Sequence, residues 1–237
     1  MYYIYAIGIL LILAIAPPAL LMLVIYRLDR LEREPPKLMW KIFGYGLLTT
    51  IPILALEYFA QGLIYMYTWG EITGQILRYF FMAGFIEEGI KYVMLYIVTW
   101  DEPNFNYKFD GVLYAVFISL GFALVENVRY VMESGLWTAV LRAVLAIPGH
   151  CIFGIIMGSR YGEAKALEEE SDARSRRMRR SAWLQAAVAH GLYDFLLVRN
   201  NYMLFAGYFI IMVAIGVKRL RESRRDDGPV RKSEGSF

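Results

Sequence analysis

Long apolar runs alternate with short charged clusters along the whole chain, and this pattern is typical of a polytopic membrane protein. A helix needs about 20 apolar residues to cross the hydrocarbon core of a bilayer. Runs of this kind predict about seven spans, at residues 2–26, 39–67, 76–99, 109–131, 137–160, 182–198 and 202–218. The predicted fold is therefore an all-α membrane helix bundle. We expect the first run to be retained as a span, because it is too long for a signal peptide and starts without basic residues.

Basic residues are concentrated in three segments, and these segments set the predicted orientation. They follow the first, fifth and seventh spans, within residues 27–41, 165–180 and 218–232. The loops expected on the opposite side are short and nearly free of Lys and Arg, at residues 70–75, 133–136 and 199–201. Since cytoplasmic loops carry the excess of Lys and Arg, the N-terminus is predicted outside and the C-terminus in the cytoplasm. Residues 1–220 then form the membrane domain, and the polar residues 221–237 form a disordered cytoplasmic tail.

Composition supports the same class and excludes several others. The chain has 237 residues, of which 58% are hydrophobic, against roughly 45–50% in soluble domains. Cys151 is the single cysteine, which excludes an intramolecular disulfide and a cysteine-rich metal site. The chain has no nucleotide-binding glycine signature, and no nucleic-acid partner is predicted. The lipid bilayer is its expected surroundings.

The third predicted span contains charged residues near its middle. Glu87, Glu88 and Lys91 lie within the otherwise apolar stretch Phe80–Trp100. One charged side chain at the bilayer centre costs at least ~2.5–3.5 kcal/mol, so such groups usually belong to an ion, proton or catalytic pathway. Glu87 and Lys91 are at i, i+4 and are expected to pair on one helix face. Glu88 is expected to point about 100° away from them.

Three further spans place polar side chains at depth. Glu126 and Asn127 lie on the fourth span, His150 on the fifth, and His190 and Asp194 on the sixth. The two histidines of the chain both belong to this set. From a helix rise of ~1.5 Å per residue, these groups lie ~6–20 Å from the outer ends of their spans. One shared site, biased to the outer half of the membrane, is geometrically possible.

Carboxylates and imidazoles together suit two kinds of hydrolysis. They can bind a divalent metal such as Zn²⁺ while a glutamate acts as general base. They can also activate water without a metal. The HExxH pattern of soluble zinc proteases is absent, and no serine is placed as a nucleophile near a histidine. We expect three arginine side chains to extend to the outer membrane interface, Arg78, Arg129 and Arg142.

Non-catalytic interpretations of the same residues stay open at this point. The Glu87–Lys91 pair can be a structural ion pair, and His150 can be an interhelical hydrogen-bonding residue. Buried carboxylates and histidines also occur in proton-coupled transporters and ion pathways. Transporters of that kind often have repeated halves, and no repeat is evident in this chain.

Four sequence features together resemble the PrsW family of bacterial intramembrane proteases, relatives of the CAAX-prenyl endopeptidases and Abi proteins. The EExxK motif spans Glu87 to Lys91, FxxxE ends at Glu126, and HxxxD runs from His190 to Asp194. A further histidine of the family corresponds to His150. The likeness covers about residues 1–218, with the motifs in order.

The resemblance implies an activity, a site and a substrate. The expected catalytic residues are Glu87, Glu88, Lys91, His190 and Asp194. The expected ligands of a divalent metal, Zn²⁺ by preference, are Glu126, His150, His190 and Asp194. The CAAX relatives have also been interpreted as metal-free, and a metal-free mechanism stays open here. The expected reaction is site-1 cleavage of a single-span anti-sigma factor at the bacterial cell membrane, and a non-enzymatic Abi-like protein is an alternative.

Overall fold

The computed structural model describes residues 2–66, 70–199 and 201–230, and these residues are almost entirely helical. In chain order the elements are α1 Tyr2–Leu28, α2 Pro36–Leu48, α3 Thr50–Met66, α4 Glu71–Ile76, a π-helix Leu77–Glu87, α5 Glu88–Thr99, α6 Lys108–Ser134, α7 Leu136–Val144, α8 Ala146–Ala166, α9 Asp172–Val198 and α10 Tyr202–Arg225. Strand-like pairing in these residues is confined to one isolated bridge between Tyr107 and Pro229. The predicted all-α membrane bundle is confirmed.

Five helical units of the described residues are long and apolar enough to cross a membrane. They are Ile7–Leu28, Pro36–Met66, Lys108–Ser134, Leu136–Ala166 and Tyr202–Arg225. The second unit contains α2 and α3, and the fourth contains α7 and α8. The other two predicted spans fall on the continuous stretch from α4 through the π-helix to α5, and on α9, whose first half is basic. The chain is therefore a multi-pass membrane protein, and its orientation stays a prediction.

Close packing of α6 against α8 forms the centre of the bundle. Gly154, Gly158 and Gly162 recur every fourth residue along α8 and face α6. A Cβ atom at Gly158 would come within 2.5 Å of the carbonyl oxygen of Gly111. Small residues at such positions let helix backbones approach closely, which is the usual basis of helix association in membranes. This contact fixes the relative positions of the helices that carry Glu126 and His150.

The predicted disordered tail at residues 221–237 is wrong for its first part. α10 continues into this range, and the chain beyond it packs against the start of α6. The backbone N–H of Phe109 donates a hydrogen bond of 3.0 Å to Asp227, and Val230 is buried. These contacts order a segment whose composition alone suggests disorder. Residues 231–237 lie outside the described residues.

Two buried carboxylates lie in the loop between α1 and α2, outside the membrane-spanning helices. Asp29 and Glu34 are both buried, and each has one carboxylate oxygen without a hydrogen-bond partner among the described residues. Burial raises the pKa of Asp29 to about 6 and that of Glu34 to about 7. Both values lie above the ordinary pKa of a carboxyl group.

We expect the thermal stability of the protein to fall as the pH rises from about 5 to about 8. In this range the folded protein binds more protons than the unfolded chain, because the folded pKa values of Asp29 and Glu34 are raised. Increasing pH then favours the unfolded state. Asp29→Asn should flatten the dependence of Tm on pH in detergent solution, whereas Glu133→Gln, an exposed control, should not. An unchanged pH dependence in Asp29→Asn would contradict this assignment.

Candidate active site

Lys91 lies between the two adjacent glutamates. Its Nζ is 3.1 Å from Glu87 Oε2 and 2.8 Å from Glu88 Oε1, and all three side chains are buried. The expectation that Glu88 points away from Lys91 is wrong, because residues at i, i+3 are also neighbours on a helix. One ammonium group therefore faces two carboxylates. The remaining negative charge must be compensated by groups from other helices.

The two glutamates lie where the helix type changes. The π-helix ends at Glu87, and α5 begins at Glu88. π-helical segments are rare and frequently occur at functional sites, where they change the register of the side chains that follow. Gly84 in this segment lies against α9, since a Cβ there would come within 2.5 Å of the carbonyl oxygen of Ala187. The sequence gives no clear signal for the change from π-helix to α-helix.

His190 of α9 contacts three carboxylates. Its Nδ1 is 2.9 Å from Glu88 Oε1 and 3.9 Å from Glu87 Oε2. Its Nε2 is 3.5 Å from Asp194 Oδ2, one helical turn along α9. The imidazole also stacks on Phe153, with ring centroids 4.5 Å apart. Contacts at both ring nitrogens and on one ring face therefore fix the orientation of the His190 ring.

A second cluster joins α6, α7 and α8. His150 Nε2 is 3.0 Å from Glu126 Oε2, and the same carboxylate oxygen accepts a hydrogen bond of 2.7 Å from Arg142 Nη2. Arg142 Nε donates to Asn127 Oδ1 at 2.9 Å. The expectation that Arg142 extends to the outer interface is wrong. The turn between α6 and α7 brings Arg142, in the last turn of α7, against α6, where it pairs with Glu126.

Asn127 connects this cluster to α1. Its Nδ2 donates a hydrogen bond of 2.7 Å to the carbonyl oxygen of Ala14, which is buried. In a regular helix that oxygen would accept from the N–H of the residue four positions later, which is Pro18 and has none. The Asn127 side chain therefore satisfies a carbonyl that the proline leaves free. Because its Oδ1 also accepts from Arg142, Asn127 connects α1 to the Glu126 cluster.

The two clusters meet at the histidines. The rings of His150 and His190 have centroids 5.2 Å apart. One donor atom from each of Glu88, His150 and His190 lies within 4.8 Å of the other two. His150 Nδ1 and Glu88 Oε2 have no hydrogen-bond partner among the described residues. Of the predicted metal ligands, the two histidines belong to this trio, whereas Glu126 and Asp194 each contact one of the histidines.

Two cavities open beside the site. The first, about 300 Å³, is lined by α3, the π-helix and α6, and it includes Glu87. The second, about 410 Å³, is lined by α6 to α9 and includes His150 and His190. Both reach Glu126 and Asp194. The predicted site residues are thus brought together, and most of them border space that a ligand can occupy.

The contact of Arg142 with Glu126 and the aromatic residues around the histidines were not predicted from the sequence. Phe153 packs on His190, and Tyr79 and Tyr130 line both cavities. The guanidinium of Arg142 also lies over the ring of Tyr130, 4.5 Å from its centroid. A basic residue on a predicted span was the available signal for Arg142. For the aromatic residues there was none, because aromatic residues are common throughout the chain.

Comparison with known proteins identifies the family of this chain. A family described as PrsW family intramembrane metalloprotease matches residues 34–217. The chain belongs to the PrsW family. Among its relatives, Protease PrsW of Clostridioides difficile is 33% identical over 220 residues, which cover 90% of each chain. Protease PrsW of Geobacillus kaustophilus is 30% identical, with 92% of each chain covered, and that of Bacillus subtilis is 27% identical, with 89% of this chain and 93% of the relative covered.

Membership of the PrsW family confirms the resemblance drawn from the motifs. Glu87, Lys91, Glu126, His150 and His190 all lie within the matched range. Together with the apolar helices, the match identifies a membrane protease with a protein substrate in the membrane. No solved structure significantly matches the chain.

Asn127→Ala is expected to lower the cleavage of a membrane substrate about tenfold, as is usual for loss of a residue that orients an active-site group. The substitution removes an acceptor of Arg142 and the donor to Ala14. In the double variant Pro18→Ala/Asn127→Ala, a new N–H can satisfy the Ala14 carbonyl. We therefore expect thermal stability to recover in the double variant, while cleavage stays low. Recovery of both would show that Asn127 acts only through stability.

Proposed function

We propose that this PrsW protein hydrolyses a peptide bond with a water molecule activated by Glu87. The observation that carries this assignment is the difference in exposure between the two glutamates. The Glu87 side chain is 8% exposed and lines the first cavity, whereas the Glu88 side chain is 0% exposed. A general base must be within reach of the water from which it takes a proton. Glu87 meets this requirement, and Glu88 is enclosed by Lys91 and His190.

The neighbouring groups would prepare Glu87 for this reaction. Lys91 holds the Glu87 carboxylate by a contact of 3.1 Å and would orient it toward the attacking water. After attack of the water, the proton on Glu87 can pass to the leaving amine, as general base and general acid are commonly the same residue. In a metal-free form of the reaction, His190, which lines the second cavity, would stabilise the negative charge that develops on the reacting carbonyl oxygen. Glu88 and Asp194 hold the His190 ring for this task.

A divalent metal fits the donor set at the junction of the two clusters. Two imidazoles and one carboxylate are the ligands of several catalytic zinc sites, and Glu88, His150 and His190 have that composition. The partnerless atoms His150 Nδ1 and Glu88 Oε2 are further donors available there. When bound, Zn²⁺ would polarise the scissile carbonyl and lower the pKa of a bound water. Glu126 would orient His150 through their 3.0 Å contact.

The substrate we propose is a single-span anti-sigma factor, cut at site 1 on its extracytoplasmic side. The family resemblance supports this substrate. The location is supported by the basic loops, which predict an external N-terminus, and by the position of Glu126 nearer the outer end of its helix. Cleavage near that face would separate the external part of the substrate from its membrane span.

Metal removal tests this proposal in two parts. Purified protein in nanodiscs is expected to cleave a co-reconstituted single-span substrate, to lose that activity with a chelator and to regain it with Zn²⁺. Elemental analysis should find less bound metal in His150→Ala and His190→Ala. Full activity after exhaustive metal removal would overturn the metal assignment and leave the glutamate mechanism. Failure of the wild-type protein to cut any single-span substrate would overturn the proposed function itself.

A further inference from the structure

One side of α9 carries basic residues that the candidate active site does not use. Arg176, Arg177 and Arg180 line a cavity of about 560 Å³ on this side, together with Leu184 and Gln185. Their spacing of three or four residues places the side chains on one face of the helix. The cavity lies along the first half of α9, before the catalytic groups. We call this surface the basic face.

Ion pairs within the segment leave two arginines of the basic face without a counter-charge. The acidic residues at and before the start of α9 pair with three other arginines, in the pairs Glu170–Arg174, Asp172–Arg176 and Asp172–Arg179. Arg177 and Arg180 are both exposed, and neither makes a hydrogen bond or an ion pair with any residue that the structure describes. Their guanidinium groups are therefore available to an anion from outside the chain. Arginine binds phosphate especially well, because it can donate two parallel hydrogen bonds to it.

The basic face becomes apolar further along α9, within the predicted span at residues 182–198. Leu184 and Val188 follow Arg180 at successive turns of the helix, and they are 40% and 44% exposed. With a rise of ~1.5 Å per residue, the apolar part extends ~12 Å beyond Arg180. A cationic end that is followed by an apolar stretch matches a phospholipid, whose phosphate and acyl chains are arranged in the same order. A free phosphate ion would use only the cationic end.

The end of α10 adds positive charge beside the same cavity. Arg219 Nη2 donates a hydrogen bond of 3.4 Å to Gln185 Oε1, which brings this part of α10 next to the basic face. Lys218 and Arg221, its neighbours in the chain, are exposed. Basic residues of two helices thus lie near the level where the predicted cytoplasmic loops begin. Anionic lipids give the cytoplasmic leaflet a negative surface potential, and that potential attracts such residues.

We propose that an anionic phospholipid binds along the basic face, with its phosphate between Arg177 and Arg180 and an acyl chain along Leu184 and Val188. Charge complementarity favours an anionic headgroup, because the choline group of a zwitterionic lipid would meet the same arginines. α9 continues without a break from the basic face to His190, which lies ~15 Å from Arg180 along the helix. The bound lipid would therefore contact the helix that carries an active-site residue.

Lipid binding is measured on the purified full-length protein by native mass spectrometry, with phosphatidylglycerol and phosphatidylcholine of identical acyl chains. The wild-type protein should bind phosphatidylglycerol at least about tenfold more tightly. Arg177→Gln/Arg180→Gln should weaken this binding about 30-fold, which corresponds to about 1 kcal/mol per basic residue near the membrane surface. Leu184→Ala/Val188→Ala should also weaken it, because less apolar surface is left for the acyl chain.

The matched control is Arg174→Gln/Arg225→Gln, which removes the same net charge. Both of these arginines are exposed, and they pair with Glu170 and Asp226. This variant should bind phosphatidylglycerol as tightly as the wild-type protein. Equal weakening in the two arginine variants would show a general attraction of anionic lipid to basic segments, and the proposal would be wrong. Displacement of the lipid by inorganic phosphate at constant ionic strength would also overturn it, since the groove would then bind the free ion.

A single substitution keeps the test decisive where the double variant does not accumulate. Arg180→Gln alone should weaken phosphatidylglycerol binding about fivefold, and an unchanged affinity would contradict the proposal. Because the bound lipid is detected directly, the result does not depend on whether the protein cleaves a substrate.

Discussion

Glu87→Gln is expected to lower the rate of substrate cleavage by about 10²–10⁴-fold, the usual contribution of a general base. The amide keeps the size of the side chain but cannot accept a proton from water. Because Glu87 is outside the trio of potential metal donors, bound metal should be unchanged. Purified variants are compared by single-turnover cleavage and by elemental analysis of the same preparation.

Glu88→Gln is expected to differ in its metal content. Glu88 contributes to the donor trio and holds both Lys91 and His190, so the substitution should lower bound metal as well as cleavage. Glu133→Gln, an exposed control at the end of α6, should retain both. Cleavage by Glu87→Gln at the wild-type rate would show that Glu87 is not the general base. Loss of cleavage in Glu88→Gln alone, with full metal binding, would assign the general base to Glu88.

Gly191→Ala is expected to reduce cleavage at least about tenfold, because it forces α9 away from the π-helix. A Cβ at Gly191 would lie 2.9 Å from the backbone Cα of Phe80, so the two helices must separate. Gly191 follows His190 directly, and the movement lengthens the contact of His190 with Glu88, now 2.9 Å. A displacement of about 1 Å in a catalytic group can lower a rate 10²-fold. Gly84→Ala should act in the same way from the other helix.

Gly89→Ala is the matched control for this prediction. It lies next to Glu88 in the chain, yet a Cβ at this position meets nothing within 4 Å. Alanine is also the better helix former, by about 1 kcal/mol, so Gly89→Ala should be at least as stable as the wild-type protein. Cleavage and Tm are measured for all variants in the same detergent. Normal cleavage by both Gly191→Ala and Gly84→Ala would show that the spacing of the two helices does not limit catalysis.

Hydrophobic patterning predicted most of the fold because the bilayer constrains it so strongly. A span must be a helix of about 20 residues whose backbone hydrogen bonds are internal, and this requirement is readable from local composition. The ordered segment after α10 was not predicted, because local composition does not show contacts between distant residues. Its contacts, such as that of Asp227 with the backbone of Phe109, join residues far apart in the chain.

The residues at the site were predictable as a set, since ionisable side chains are costly in a membrane and occur there mainly for function. The hydrogen-bond and ion-pair partners of these residues were not predictable from the sequence. The i, i+4 spacing suggested that Lys91 pairs with Glu87 alone, whereas in the structure it also contacts Glu88. Arg142 looked like an interfacial residue until the turn before α7 placed it on Glu126.

The sequence by itself determined that this is a multi-pass helical protein of the PrsW kind with carboxylates and histidines within its spans, because these properties follow from local composition and motif spacing. Only the tertiary structure decided which donors converge, since the trio of Glu88, His150 and His190 comes from three different helices. It also distinguished the two adjacent glutamates. Glu87 lines a cavity and Glu88 is enclosed, and that difference arises from how α9 packs against the π-helix.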